Sequence, residues 1–356
     1  MKTQRKILVT GGAGYIGSHV VQQLHEAGYD TVVYDNCSTG SKGAVLHGQL
    51  ILGDLIDVDH LYQVMAEHQF DTVIHLAASL IAPESVARPL DYYANNTRNT
   101  LNLLRCCHAM KVHQFIFSST AAVYGNPLRN PVLETDATLP INPYGRSKLM
   151  TEWLIQDAAN ASPLRFVILR YFNVAGADPY GHLGSISEHS TQLIHRACDA
   201  ALGRQKGLLI YGTDYPTPDG TAIRDYIHVT DLASAHVAAL GYLEQGHDSQ
   251  TLNCGYGKGY SVRQVVDRVK AVSLVDFPVF ETERRVGDPA SVVACVDKIS
   301  ATLDWHPKYD DLDTIVRSHL HWETQREFRK HNSPWAASKA TTENWREITR
   351  LANIGA

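Results

Sequence analysis

The sequence predicts an α/β protein built on a doubly wound parallel sheet, with a smaller C-terminal lobe. Three observations lead there. Short apolar runs alternate with longer amphipathic stretches through the first half of the chain. The first run opens directly into a glycine-rich turn. After about residue 175 the alternation loosens, and Gly and Pro gather at 177–184 and 212–220. Runs that are apolar on both faces and separated by helical patterns belong to parallel sheets covered by helices on both sides.

Taken in order, strands are expected at 6–10, 31–34, 49–52, 72–77, 115–118 and 166–171. Helical periodicity lies near 15–28, 57–68, 91–110 and 144–158. A late apolar run at 251–254 reads as a strand returning to the sheet. The organisation expected is a dinucleotide-binding domain over 1–175, rejoined by a strand near 225–255, a substrate lobe mainly over 176–325, and a polar tail over 326–356. A chain of 356 residues is long enough for such a large unit with a second lobe.

Composition excludes some partners. Thirty-two Lys and Arg against 37 Asp and Glu give a net charge of −5, which makes no electrostatic case for nucleic acid or an anionic membrane. The apolar run near the N-terminus, 7–9, is too short for a signal core, and no run approaches 18 apolar residues. A cytoplasmic protein with no membrane contact is the expectation. The six cysteines, Cys37, Cys106, Cys107, Cys198, Cys254 and Cys295, show no C-x-x-C pair and no zinc-type spacing with histidine. They read as small buried apolar residues of a reducing compartment, and no metal is expected.

The glycine turn carries the first chemistry. Gly11, Gly14 and Gly17 follow the first strand in G-x-x-G-x-x-G spacing and open a helical pattern. One glycine makes the tight turn, one lets backbone N–H groups approach a pyrophosphate, and one lets helix and strand pack closely. The second strand ends at Asp35, 18 residues after Gly17. A carboxylate there suits an adenosine ribose diol and repels a 2′-phosphate, so NAD is favoured over NADP. This makes the sheet Rossmann-type. Asp54, after the third strand, reads either as a second contact near the adenine or as a strand-end turn residue.

Asn142 and Pro143 suit the N-cap and first position of a helix, which puts Tyr144 and Lys148 four apart on one face. A Lys⁺ beside a phenol favours the phenolate, so Tyr144 can exchange a proton with a sugar hydroxyl. Thr120, ending the Ser118–Ser119–Thr120 strand, offers a hydroxyl to the same oxygen.

These residues together resemble the extended short-chain dehydrogenase/reductase family, in particular its nucleotide-sugar epimerases. The matching stretches are LVTGGAGYIGSH, VVYDN, TVIHLAA, FIFSSTAAVYG, PYGRSK, LRYFNVAGA, YGTDYPTPDGTAIRDYIHV and RRVGD, spread over residues 6–325. The resemblance implies NAD-dependent epimerisation at C4 of a UDP-hexose, UDP-glucose or UDP-galactose, through a transient 4-keto sugar. Tyr144, Lys148 and Thr120 would be catalytic. Gly11, Gly14, Tyr15, Ile16, Gly17, Asp35, Asn36, Asp54, Leu55, Ala77, Asn95, Lys148 and Tyr171 would surround NAD. Asn173, Arg224 and Arg285 would hold the diphosphate, Tyr211 and Tyr226 the uridine, and Asp288 its ribose. Gln192 and Leu193 would border the substrate, with Gln192 standing where many members have Asn or His. Leu80 stands where some have Lys, near the nicotinamide. The resemblance further implies a homodimer joined by the helices near 91–110 and 144–158.

Alternatives remain open at this point. Val292 occupies a position whose size governs sugar breadth in the family, so UDP-N-acetylhexosamines and UDP-pentoses stay possible substrates. Ala121 and Ala122 lack the acids of a dehydratase or decarboxylase. A non-catalytic NAD(H)-sensing protein would keep the glycine turn but has no need of Tyr144.

Overall fold

Alternate residues of one strand feed two different cores, and that pattern organises the molecule. A computed structural model describes residues 5–187, 190–285 and 288–331. The first six strands are β1 (Lys6–Thr10), β2 (Asp30–Asp35), β3 (Gln49–Leu52), β4 (Thr72–His75), β5 (Gln114–Thr120) and β6 (Arg165–Tyr171). Between them run α1 (Tyr15–Glu26), α2 (Val58–His68), α3 (Ala82–Ala87), α4 (Pro89–Tyr92), α5 (Asn99–Ala109) and α6 (Pro143–Asn160). The second half adds β7 (Asn173–Ala175), α7 (Leu193–Ala201), β8 (Leu208–Tyr211), β9 (Ile223–His228), α8 (Val229–Glu244) and β10 (Gln250–Cys254). There follow β11 (Gly259–Ser261), α9 (Val262–Ser273), β12 (Val279–Thr282), β13 (Ser291–Val292), α10 (Asp297–Thr302) and α11 (Leu312–His331).

The main sheet has the order β10-β6-β5-β4-β1-β2-β3, and every pairing in it is parallel. The winding reverses between β1 and β4, which opens a crevice at their carboxyl ends. Ile7 and Val9 pack with Val20, Leu24, Leu232 and Leu240 under α1 and α8. Leu8 points the other way, with Leu61, Leu103 and Ile155 of α2, α5 and α6. Local chemistry starts the helices where expected. Asn142 accepts from Gly145 N at 2.9 Å ahead of Pro143, and Asp57 accepts from His60 N at 3.1 Å.

Three details depart from the sequence expectation. The helix expected at 91–110 is interrupted by a widened π turn, Tyr93–Arg98, between α4 and α5. The Asn96 carbonyl there accepts from the Thr100 and Thr151 hydroxyls, and its amide donates to the Ser79 carbonyl and Ser147 Oγ. Such side-chain competition loosens the i→i−4 ladder. Within 225–255 only β10 joins the main sheet. β9 instead centres a small sheet with β7, β11 and β13. The tail boundary at 326 falls inside α11, and 332–356 lie outside the described residues.

Buried histidines give the fold an acid weakness. Burial holds the pKa of His75 and His228 down to about 3, and of His19 and His236 to about 4. Each folded value lies below the unfolded value near 6.5. The unfolded chain therefore gains protons first as pH drops, and stability is lost from about pH 6.5 downward, by at most about 1.4 kcal/mol per pH unit per ring. The thermal midpoint is expected to fall steadily between pH 7 and pH 5. A flat profile would contradict this.

Candidate active site

The glycine turn sits at the reversal point, as its spacing requires. Gly11 has φ +76°, and a Cβ there would stand 2.5 Å from the Ala77 backbone N, where β1 and β4 converge. A Cβ on Gly17 would run into Gly11 O and lie 2.7 Å from Gly12 Cα. Gly14 differs: a Cβ there would meet only Gly11 O, at 3.3 Å. It is the N-cap of α1 and its helix start has no side-chain cap. The space before the positive helix end is thus open, with backbone N–H groups free for a pyrophosphate. Gly17→Ala is expected to lower the thermal midpoint and strip bound dinucleotide, read as nucleotide released on denaturation. Full retention of both would sink this reading of the turn.

Asp35 sits beside the glycine turn, at the end of β2. Its Oδ2 accepts from Ala13 N at 2.9 Å and its Oδ1 from Cys37 N at 2.7 Å, so it braces the glycine turn directly. A carboxylate offers about four acceptor positions, which leaves room for a ribose diol. Asn36 Nδ2 donates to Asp54 Oδ2 at 2.7 Å, while Asp54 Oδ1 accepts from Ile56 N at 3.0 Å. Asp54 therefore does serve as a turn residue, tied at the same time to Asn36. Leu55 is buried, and its carbonyl accepts from Asn102. Ile16 packs on the core, and the Tyr15 hydroxyl donates to the Gly176 carbonyl at 2.6 Å, linking the turn to the second lobe. Asn95, on the π turn, donates to Ser79 Oγ at 2.9 Å, and Leu80 beside it is half exposed. These donors, acceptors and the open cradle fit NAD.

The Tyr144 phenol lies near Thr120, whose Oγ1 accepts from Ala122 N at 3.2 Å. Burial raises its pKa, and the Thr120 hydroxyl opposes that. Lys148 lies one turn further along α6, with Nζ donating to the Ser118 carbonyl at 2.9 Å and resting 4.8 Å above the Phe117 ring. Desolvation pushes its pKa down to about 7, against the pull of Glu152. One ammonium N–H is used, and two remain for a ligand. Tyr171 is buried beside Ser118 and Tyr144, its phenol raised by burial.

Sequence reasoning missed what holds this pair. Glu152, four residues past Lys148, takes Arg170 Nη2 at 2.6 Å and Nε at 3.0 Å, and accepts from Ser119 Oγ. Arg170 also donates to the Tyr124 hydroxyl at 3.0 Å. A charged residue inside the apolar strand FVILRY, and a carboxylate at i+4 from Lys148, were the available signals.

In the second lobe, the Arg285 guanidinium lies 3.8 Å from the Tyr211 ring centroid. Arg224 Nη2 stands 3.6 Å from Asp288 Oδ1, and Asp288 N donates to the Arg285 carbonyl. Asn173 is exposed on β7, paired in register with Tyr226 on β9, which is buried. Gln192 is exposed directly before α7, which begins at Leu193. Val292 is buried with Val123, Tyr124 and Phe172.

The sheet order, glycine turn and tyrosine–lysine pair define a dinucleotide-dependent α/β protein. The model of the NAD dependent epimerase/dehydratase family matches residues 7–255, and the chain belongs to that family. It is 53% identical over 319 residues to a UDP-glucose 4-epimerase of Azospirillum brasilense, covering 89% of this chain and 92% of that one. The crystal structure of UDP-glucose 4-epimerase from Brucella ovis in complex with NAD is similar at TM-score 0.87 and 46% identity, over 89% of this chain and 98% of that one. That of the Bifidobacterium longum enzyme in complex with NAD+ and UDP is similar at TM-score 0.85 and 37% identity, over 90% and 99%.

Proposed function

We propose that this chain is an NAD-dependent isomerase that inverts C4 of a UDP-hexose, interconverting UDP-glucose and UDP-galactose. The observation that carries the reading is the buried Tyr144–Lys148 pair at the start of α6, with Thr120 near the phenol and Lys148 Nζ on the Ser118 carbonyl toward the carboxyl end of β5. NAD, when bound, supplies a hydride acceptor that returns what it took. Tyr144 removes the proton from the sugar 4-hydroxyl and later gives it back. Thr120 holds the oxygen in place during both transfers, and Lys148 supports the phenolate. Arg224 and Arg285 grip the diphosphate while the 4-keto sugar turns over, with Asn173 beside them. Guanidinium groups suit this because their planar fork makes charge-assisted bonds to phosphate oxygens. Tyr211 and Tyr226 border the uridine, Asp288 its ribose, and Gln192 and Leu193 the substrate's edge.

Ala121 and Ala122 follow Thr120 directly, so no acid stands there to drive elimination. A homodimer through α5 and α6 fits the exposure of Met150 and Trp153 on α6. No helix among the described residues is long and apolar enough to cross a membrane, and the six cysteines are free, which suits a cytoplasmic protein.

The test is incubation with UDP-galactose and no added NAD, following the anomeric protons by NMR. Appearance of UDP-glucose supports both the reaction and a retained cofactor. Conversion only after NAD is added keeps the reaction and points to Leu80 as the cause of weak retention. No conversion with or without NAD overturns the hexose reading.

A further inference from the structure

We propose that His195, His319 and Glu323 form a buried binding site for a divalent transition metal of the zinc type, between α7 and α11. His195 comes from α7, and His319 and Glu323 stand one turn apart on α11. His195 Nδ1 lies 3.4 Å from His319 Nε2 and 3.5 Å from Glu323 Oε1. The cluster offers one ligand atom per residue, all within 4.8 Å of one another. Ligands about 2.0–2.1 Å from a tetrahedral zinc stand about 3.3–3.4 Å apart, so the two edges at His195 match, the His319–Glu323 edge lies within 4.8 Å, and a water would fill the fourth position.

The surroundings of Glu323 are arranged as those of a metal ligand are, and the site is buried. The side chains are buried, His195 with 1% of its surface exposed and the other two with none. The remote nitrogen of His195, Nε2, faces Asp199 Oδ2 at 3.5 Å. The remote oxygen of Glu323, Oε2, is held by Arg204 at 2.5 Å and Arg326 at 3.1 Å. A ligating carboxylate is commonly anchored this way through its outer oxygen, while the outer nitrogens of His195 and His319 have no hydrogen-bond partner among the described residues. Glu323 Oε1 has no hydrogen-bond partner among the described residues.

With the proton of His195 on the side of Asp199, its Nδ1 presents a lone pair to the Glu323 carboxylate. Without metal, His319 Nε2–H can donate to that nitrogen, and a cation taking the place of this proton would bind both nitrogens and the unpartnered Glu323 Oε1. Burial lowers the pKa of both rings, which favours the neutral, ligating form. Two nitrogens and one oxygen select zinc-type ions over magnesium or calcium. Arg204 and Arg326 limit the affinity but occupy Oε2, leaving Oε1 to the ion. The ligands come from helices 124 residues apart, which is why no spacing in the sequence announces them.

The untagged full-length chain would be stripped with a chelator, dialysed and titrated with zinc and with cobalt(II). Expected are about one equivalent of tightly held zinc per chain by elemental analysis, a raised thermal midpoint, and the visible absorption of four-coordinate cobalt. His195→Gln and Glu323→Gln should each abolish the cobalt spectrum while keeping the parent far-UV circular dichroism. The cobalt titration of the unaltered chain tests the proposal even if a variant fails to fold. His47→Ala, which removes the stacked surface pair His25–His47, should leave the spectrum unchanged. Absence of a four-coordinate cobalt spectrum in the unaltered chain would overturn the proposal, as would metal binding that survives both glutamine variants.

Discussion

Tyr144→Phe is expected to cut turnover of UDP-galactose by about 10²–10⁴-fold while leaving fold and cofactor in place. The reason is local. Tyr144 stands in the first turn of α6, buried, with its phenol near Thr120. Phenylalanine fills the same space, keeps the edge contact with the Tyr92 ring, and removes only the proton-carrying oxygen. Burial raises the pKa of the phenol in the free protein, so its deprotonation needs a positive charge brought near it, such as that of an oxidised nicotinamide. Thr120→Val should cost less, because it removes a hydrogen bond rather than the acid–base group. The check is single-turnover and steady-state kinetics beside bound-NAD content. Near-full turnover in Tyr144→Phe with intact NAD would move the proton transfer elsewhere.

Glu152→Ala is expected to destabilise the fold by about 3–5 kcal/mol, among the largest effects of any single substitution here. The Glu152 and Arg170 side chains are 1% and 7% exposed. Removing the carboxylate strands a buried guanidinium and leaves Ser119 Oγ without its acceptor. It also withdraws the one charge that raises the pKa of Lys148. Replacing both partners by methionine should recover most of the stability, since the cost lies in the unpaired charge. Urea midpoints of the single and double variants decide the matter. Equal stability of Glu152→Ala and the parent would show that the pair carries little.

Much of this was legible in the residues. The glycine turn at the β1–α1 junction, Asp35 at the end of β2 and the Tyr144–Lys148 pair within α6 are local patterns, legible from spacing along the chain. The central strands of the main sheet were legible because both their faces are buried, which writes continuous apolar runs into the chain, whereas the edge strand β3 is half exposed. The π turn was not, because it depends on Thr151 of α6 bonding back to Asn96. The membership of β9 in the small sheet was not, because an apolar run does not name its neighbours. Glu152 and Arg170 were hidden for the same reason: 18 residues separate them, and only the packing of α6 on β6 makes them a pair.

The position of β10 has a consequence for biogenesis. It completes the edge of the sheet beside β6, yet residues 172–249 intervene. During synthesis, therefore, β6 leaves the ribosome long before its last neighbour does. For that interval it presents a row of unsatisfied backbone donors and acceptors, a ready template for another nascent chain. The second lobe is thus synthesised before the main sheet has its last strand.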